Sequence, residues 1–350
     1  MRPDAGTTPR SGSDWKGTAS LVALVIVPLV VLVTVLVGVA GNRHAASASR
    51  AEASPTGPVA PDEDPTPTMA VYAGSGSVSG ADAFEASLGA PVPEVLDYLD
   101  GSSWASIASP TWVLDQWRGS GFGLMLGVPM LAPGSTLAAG ATGAYDAEFA
   151  TLAQNLVSSG FGDARLLIGF DPTVSGSAWS VSTPDQAAEY VVYWRRIVEA
   201  MRAVPGASFH FVWDVTPPGN GLTPEQLYPG NSYVDEVATD IFDIAPGAPS
   251  AERFSTLAAA PFGPDWMSEF AEAMGKPFDV AKWGVVPVEP WGGGGDDPDF
   301  VRALLAWARQ DGVSLLVTWD DGDWAISDGA FPESMAALRA SAGPSPPARP

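Results

Sequence analysis

Arg165–Ser180, RLLIGFDPTVSGSAWS, decides how this chain is to be read. Leu166-Leu167-Ile168 is a continuous apolar run closed off by Gly169 and Pro172. Such a run describes a short strand buried on both faces, as in a parallel sheet. Asp171 therefore stands where the strand leaves the sheet, with a Gly/Ser loop and Trp179 beyond it. In a (β/α)8 barrel that carboxyl-terminal rim is where the chemistry is done. Pro277–Gly284, PFDVAKWG, has the same grammar and ends in Lys282-Trp283.

Working outward from these two stretches, strands and helices alternate. Strands are expected at Ala70–Ala73, Glu94–Leu99, Gly123–Leu131, Ser208–Thr216, within Tyr233–Asp243 and at Val313–Asp321, besides the two that end near Asp171 and Lys282. Between them, Tyr145–Ser158 places Phe149, Leu152 and Leu156 at helical spacing. Thr183-Pro184-Asp185-Gln186 reads as a capping box with proline in the first turn, opening a helix whose apolar face is Tyr190, Trp194, Ile197 and Met201. Pro264–Met274 and the segment from Asp297 to Gln310 complete the recognisable helices. Eight strands alternating with helices predict a closed parallel (β/α)8 TIM barrel over residues 70–342. An open doubly wound sheet would need a glycine-rich turn after its first strand, and none follows.

Gly169-Phe170-Asp171, followed by Trp179-Ser180, resembles the segment of glycoside hydrolase family 26, the β-mannanase family, in which a glutamate is the general acid/base. Lys282-Trp283-Gly284 is similar to the Glu-Trp-Gly segment of that family, whose glutamate is the nucleophile. The resemblance spans roughly Val71 to Arg339. It implies that Asp171 occupies the acid/base position and Lys282 the nucleophile position, both substituted.

A retaining glycosidase needs two carboxyl groups about 5–5.5 Å apart. Their mutual repulsion raises the pKa of the acid. An ammonium in place of one carboxylate replaces repulsion by attraction, and it cannot persist as a glycosyl ester. Three readings follow. The chain is a degenerate member that binds a β-linked polysaccharide or oligosaccharide, β-mannan-like first, without retaining hydrolysis. Alternatively, Asp171 works with Asp214, Asp240 or Glu289 as an inverting pair at about 6.5–9.5 Å. In the third reading the barrel is a structural element of the cell surface.

Tryptophans cluster at or just beyond the expected strand ends. Aromatic faces suit the C–H faces of sugars. Trp104, Trp179, Trp213, Trp283 and Trp319, with Asp214 and Asp240 as hydrogen-bonding groups, are the candidate substrate-binding residues. About half of the strand-end tryptophans are expected to face a cleft and the rest to be core.

The ends of the chain belong to other classes of sequence. Residues 19–41 are almost wholly Val, Leu, Ile and Ala, long enough to span a bilayer and longer than a signal-peptide core. They are expected to be an uncleaved transmembrane anchor, with residues 1–18 cytoplasmic and the barrel outside the cell; secretion after cleavage is the alternative. Residues 42–69, rich in Pro, Ala and Ser, read as a disordered linker, and residues 343–350 as a disordered tail. The net charge of −23 repels phosphate backbones and argues against nucleic-acid binding. With no cysteine and two histidines, thiolate chemistry and histidine-rich metal sites are excluded, and no cofactor or metal is expected.

Overall fold

The computed structural model describes residues 66–217 and 221–342. Eight parallel strands close into one barrel in sequence order. They are β1 (Thr68–Tyr72), β2 (Glu94–Tyr98), β3 (Gly123–Val128), β4 (Arg165–Ile168), β5 (His210–Asp214), β6 (Glu236–Phe242), β7 (Phe278–Gly284) and β8 (Leu315–Trp319). All eight predicted strands are present. β1 begins at Thr68, two residues before the boundary drawn at Ala70, because Thr68 and Met69 already pair with Leu315 and Leu316 of β8. The anchor predicted at 19–41, most of the linker and the tail lie outside the described residues. Among the described residues no helix is long and apolar enough to cross a membrane.

The helices follow local rules. Pro184–Arg202 starts with proline in its first turn, and the Thr183 hydroxyl accepts the Gln186 N–H. The Gln186 side chain returns the bond one residue early, accepting from Ser182 rather than Thr183. Its buried face carries Tyr190, Trp194, Ile197 and Met201 as expected, and Trp194 donates to the carbonyl of Ile168 at the end of β4. The short helices Trp104–Ala108 and Thr111–Trp117 and the helix Pro332–Ser341 have no clear apolar period and were not legible in advance.

Side chains on each strand alternate between the barrel interior and the layer under the helices. At the amino-terminal end of the interior, Arg165 pairs with Glu94 and Glu236, with Asp279 close by. His210 meets Glu236 at 3.0 Å in this same layer, on the face of the barrel that serves stability. At the carboxyl-terminal end the interior holds Tyr72, Tyr98, Asp214, Lys282 and Trp319, all buried, and Asp240, whose side chain is 5% exposed. Gly127 of β3 makes room for Tyr98, whose ring a Cβ there would meet at 2.3 Å.

β7 carries the one departure from this alternation that matters for the site. Its register with β6 runs Thr239↔Val280 and then Asp240↔Lys282. Against β8, Val280 pairs with Leu316 and Trp283 with Thr318, so both neighbours meet one extra residue in β7. A β-bulge of this kind reverses side-chain parity. Asp279 and Lys282, an odd number of residues apart, consequently both point into the barrel.

Candidate functional site

Lys282 is the centre of the carboxyl-terminal layer and is 2% exposed. Its Nζ lies 2.7 Å from Asp240 Oδ2, 2.8 Å from Asp171 Oδ2 and 3.5 Å from Asp214 Oδ2. Each acid arrives from a different element. Asp214 ends β5 and Asp240 lies in β6 opposite Lys282. Asp171 follows β4 on a backbone in the left-handed region, at φ +49°. Aspartate tolerates that region better than most residues. Gly169 just before it is also left-handed, and a Cβ there would meet Met130 sulfur at 2.1 Å, so this turn demands glycine. Phe170 lies under the ammonium, its ring centre 5.4 Å from Nζ.

Carboxylate oxygens of Asp171, Asp214 and Asp240 all lie within 4.8 Å of one another. Three converging carboxylates have the donor set of a hard-cation site. Here the ammonium itself stands among them and supplies the positive charge. At their nearest oxygens these acids stand closer than the 6.5–9.5 Å or so of an inverting pair.

Burial and mutual charge set the protonation of the cluster. Burial alone would depress the lysine, but Asp171, Asp240, Tyr98 and Asp214 outweigh it and hold the Lys282 pKa well above its ordinary value. Burial pushes Asp214 up to about 7, against the pull of Lys282. Burial and the neighbouring Asp214 hold Asp240 well above the carboxylate range. Protein atoms leave both Asp214 oxygens, Asp240 Oδ1, Asp171 Oδ1 and the Tyr98 hydroxyl without a hydrogen-bond partner.

The tryptophans divide by strand parity. Trp319 is the one strand tryptophan predicted for substrate that faces the barrel interior, packing on Tyr72 at 4.3 Å and near Tyr98 and Phe242. Trp213 and Trp283 are corrected from cleft to core. Both are fully buried in the layer between sheet and helices, and Trp213 packs on Tyr228 and Phe270. In β5, Trp213 precedes the inward Asp214; in β7, Trp283 follows the inward Lys282. Trp104 is partly buried: its ring lies on Tyr145 and Phe149, and its N–H is bound by Ser135. Trp179 acts from behind, donating to the Phe170 carbonyl and meeting its ring edge-on. The residues that sequence reasoning missed are Tyr72, Tyr98, Phe170 and Phe242, which line the interior wall beside Trp319. Period-two alternation in β1, β2 and β6 was the available signal for Tyr72, Tyr98 and Phe242, and Phe170, in the turn after β4, had none.

Residues 176–282 match a known family model that begins just after Asp171 and ends on Lys282. The match is to glycosyl hydrolase family 26. Solved structures agree on the fold. The modular endo-β-1,4-mannanase of Cellulomonas fimi is 16% identical, with a TM-score of 0.55 over 79% of this chain and 68% of its own. The catalytic domain of the family 26 endo-β-1,4-mannanase of Bacillus sp. JAMB-750 is 14% identical, with a TM-score of 0.53 over 79% and 85%. The family 26 domain of an endo-β-mannanase/endo-β-glucanase from Prevotella bryantii is 15% identical, with a TM-score of 0.50 over 76% and 87%. No curated protein matches the sequence.

Proposed function

We propose that this chain is a degenerate family 26 protein that binds a β-linked hexose polysaccharide, mannan-like, without hydrolysing it by the retaining route. One observation carries the reading: the group at the nucleophile position is Lys282, tied to Asp171 at 2.8 Å and to Asp240 at 2.7 Å. A nitrogen held against two carboxyl groups in this buried layer is not available to an anomeric carbon. The group at the acid/base position is engaged by that ammonium in place of the second carboxylate of a retaining pair. Trp319 with Tyr72, Tyr98, Phe170 and Phe242 provides apolar wall of the kind that receives sugar rings. The structural neighbours include endo-β-1,4-mannanases, which supports a mannan-like glycan. The hydrophobic run at 19–41 supports placement of the barrel outside the cell, on a membrane anchor.

Titration with mannan oligosaccharides, followed by tryptophan fluorescence and by assay of reducing ends, tests the reading. A saturable fluorescence change without new reducing ends is expected. Release of sugar with retained anomeric configuration would overturn it, and absence of any response across β-linked hexose oligosaccharides would favour a purely structural barrel.

A further inference from the structure

The cluster around Lys282 has a second chemical possibility, independent of any sugar. An amine nitrogen lies in hydrogen-bond contact with two carboxyl groups, buried and sheathed by Phe170 and Tyr98, with a third acid at 3.5 Å. We propose that the Lys282 side chain condenses with the carboxyl group of Asp240 to form an intramolecular amide that covalently joins β6 to β7.

Asp240 is the acceptor that the fold presents best. It is the strand partner of Lys282 across the β6–β7 ladder, so both backbones are fixed and the side chains meet on the same interior face. Its oxygen at 2.7 Å brings the carboxyl carbon into contact range of the nitrogen. Groups so oriented reach effective molarities of about 10⁵–10⁸ M, which drives a condensation that free amine and acid barely undergo in water. Burial adds to this, because a neutral amide is easier to hold in a dry interior than a charged pair. Asp171 differs from Asp240 in both respects: it sits on a loop, and its side chain is 20% exposed.

The remaining acids complete the proton balance. Asp171, hydrogen-bonded to Nζ, takes one proton from the ammonium and frees its lone pair. The amine attacks Cγ of the neutral Asp240 carboxyl group, the form that burial favours. Asp214, which makes no hydrogen bond to other protein groups and has one oxygen 3.5 Å from the nitrogen, gives its proton to the departing hydroxyl and takes the second proton from nitrogen. One C–N bond forms, one C–O bond breaks and one water leaves. No oxidant, reductant or cofactor is needed.

Mass spectrometry of the purified full-length chain, kept folded near neutral pH, tests this directly. Tryptic digestion should yield a branched peptide joining the segment that contains Asp240 to the segment that contains Lys282, lighter than their sum by one water. Cleavage after Lys282 should be absent. Lys282→Arg and Asp240→Ala should each give only linear peptides of full mass. Linear, unmodified Asp240 and Lys282 peptides from the wild-type chain would overturn the proposal. So would a loss of water that persists in Lys282→Arg, which would place the change in an aspartyl succinimide, or a branch that joins Lys282 to Asp171. The decisive measurement is on the wild-type chain and does not depend on a variant folding. It is also blind to glycan binding.

Discussion

Lys282 and Asp240 face each other at 2.7 Å across β6 and β7 because β7 has one residue more than its neighbours. Without the extra residue, Lys282 would share the parity of Val280 and point under the helices. A charge there would have no partner. The bulge turns an otherwise unacceptable buried lysine into the centre of three carboxylates.

Replacing Lys282 by Met removes the side chain that the three acids surround and leaves Asp171, Asp214 and Asp240 within 4.8 Å of one another. Breaking a buried pair from one side costs about 3–5 kcal/mol. Urea denaturation at neutral pH should show a loss of that order, and the loss should shrink in acid as the orphaned carboxylates become protonated. An unchanged midpoint would mean that Lys282 contributes nothing to the fold.

The pH dependence of the wild-type chain has a defined sign. Asp214 has its pKa raised by burial from 3.8 to about 7. Folding therefore favours its protonated form, and its stabilising contribution is complete below the unfolded pKa and is lost as pH rises through about 7. Asp243, raised by burial to about 6 despite Arg253, adds in the same direction over a lower range. Stability measured from pH 4 to pH 8 should decline from these groups, and Asp214→Asn should flatten the upper part of the decline.

Restoring both carboxylates tests how much of the cleft survives. Lys282→Glu combined with Asp171→Glu should produce measurable hydrolysis of mannan or an aryl β-mannoside, and the wild type should produce none. It should also lower stability, because an attractive contact becomes a repulsive one. Product anomers followed by NMR should show retention.

The two classes of tryptophan should separate cleanly. Trp319→Ala should weaken mannan binding roughly tenfold, equivalent to about 1.4 kcal/mol. Trp283→Ala should instead cost about 3–5 kcal/mol of stability, as expected for a large core side chain. The folded fraction of that variant should keep its affinity. Isothermal titration beside thermal denaturation reads both effects.

Membrane attachment is checked by fractionation and protease shaving of intact cells. The barrel should sediment with membranes and be removed by external protease. Recovery from the medium with an amino terminus near Ser49 would instead establish secretion.

The order of the barrel strands was legible in the chain because each strand is an apolar run bounded by breakers, and sequential parallel strands follow from alternation with helices. Asp171 and Lys282 were legible as strand-end residues for the same reason. What the linear pattern did not contain is the direction of each side chain. Trp213 beside Asp214, and Trp283 beside Lys282, are neighbours in sequence that lie on opposite faces of the sheet, and the bulge in β7 changes which face is which. Parity is a local property, but its reversal depends on how β6 and β8 pair with β7, and only the closed barrel decides that. The same closure brings acids from β5, β6 and the turn after β4 around one ammonium, a juxtaposition of residues up to 111 apart in the chain.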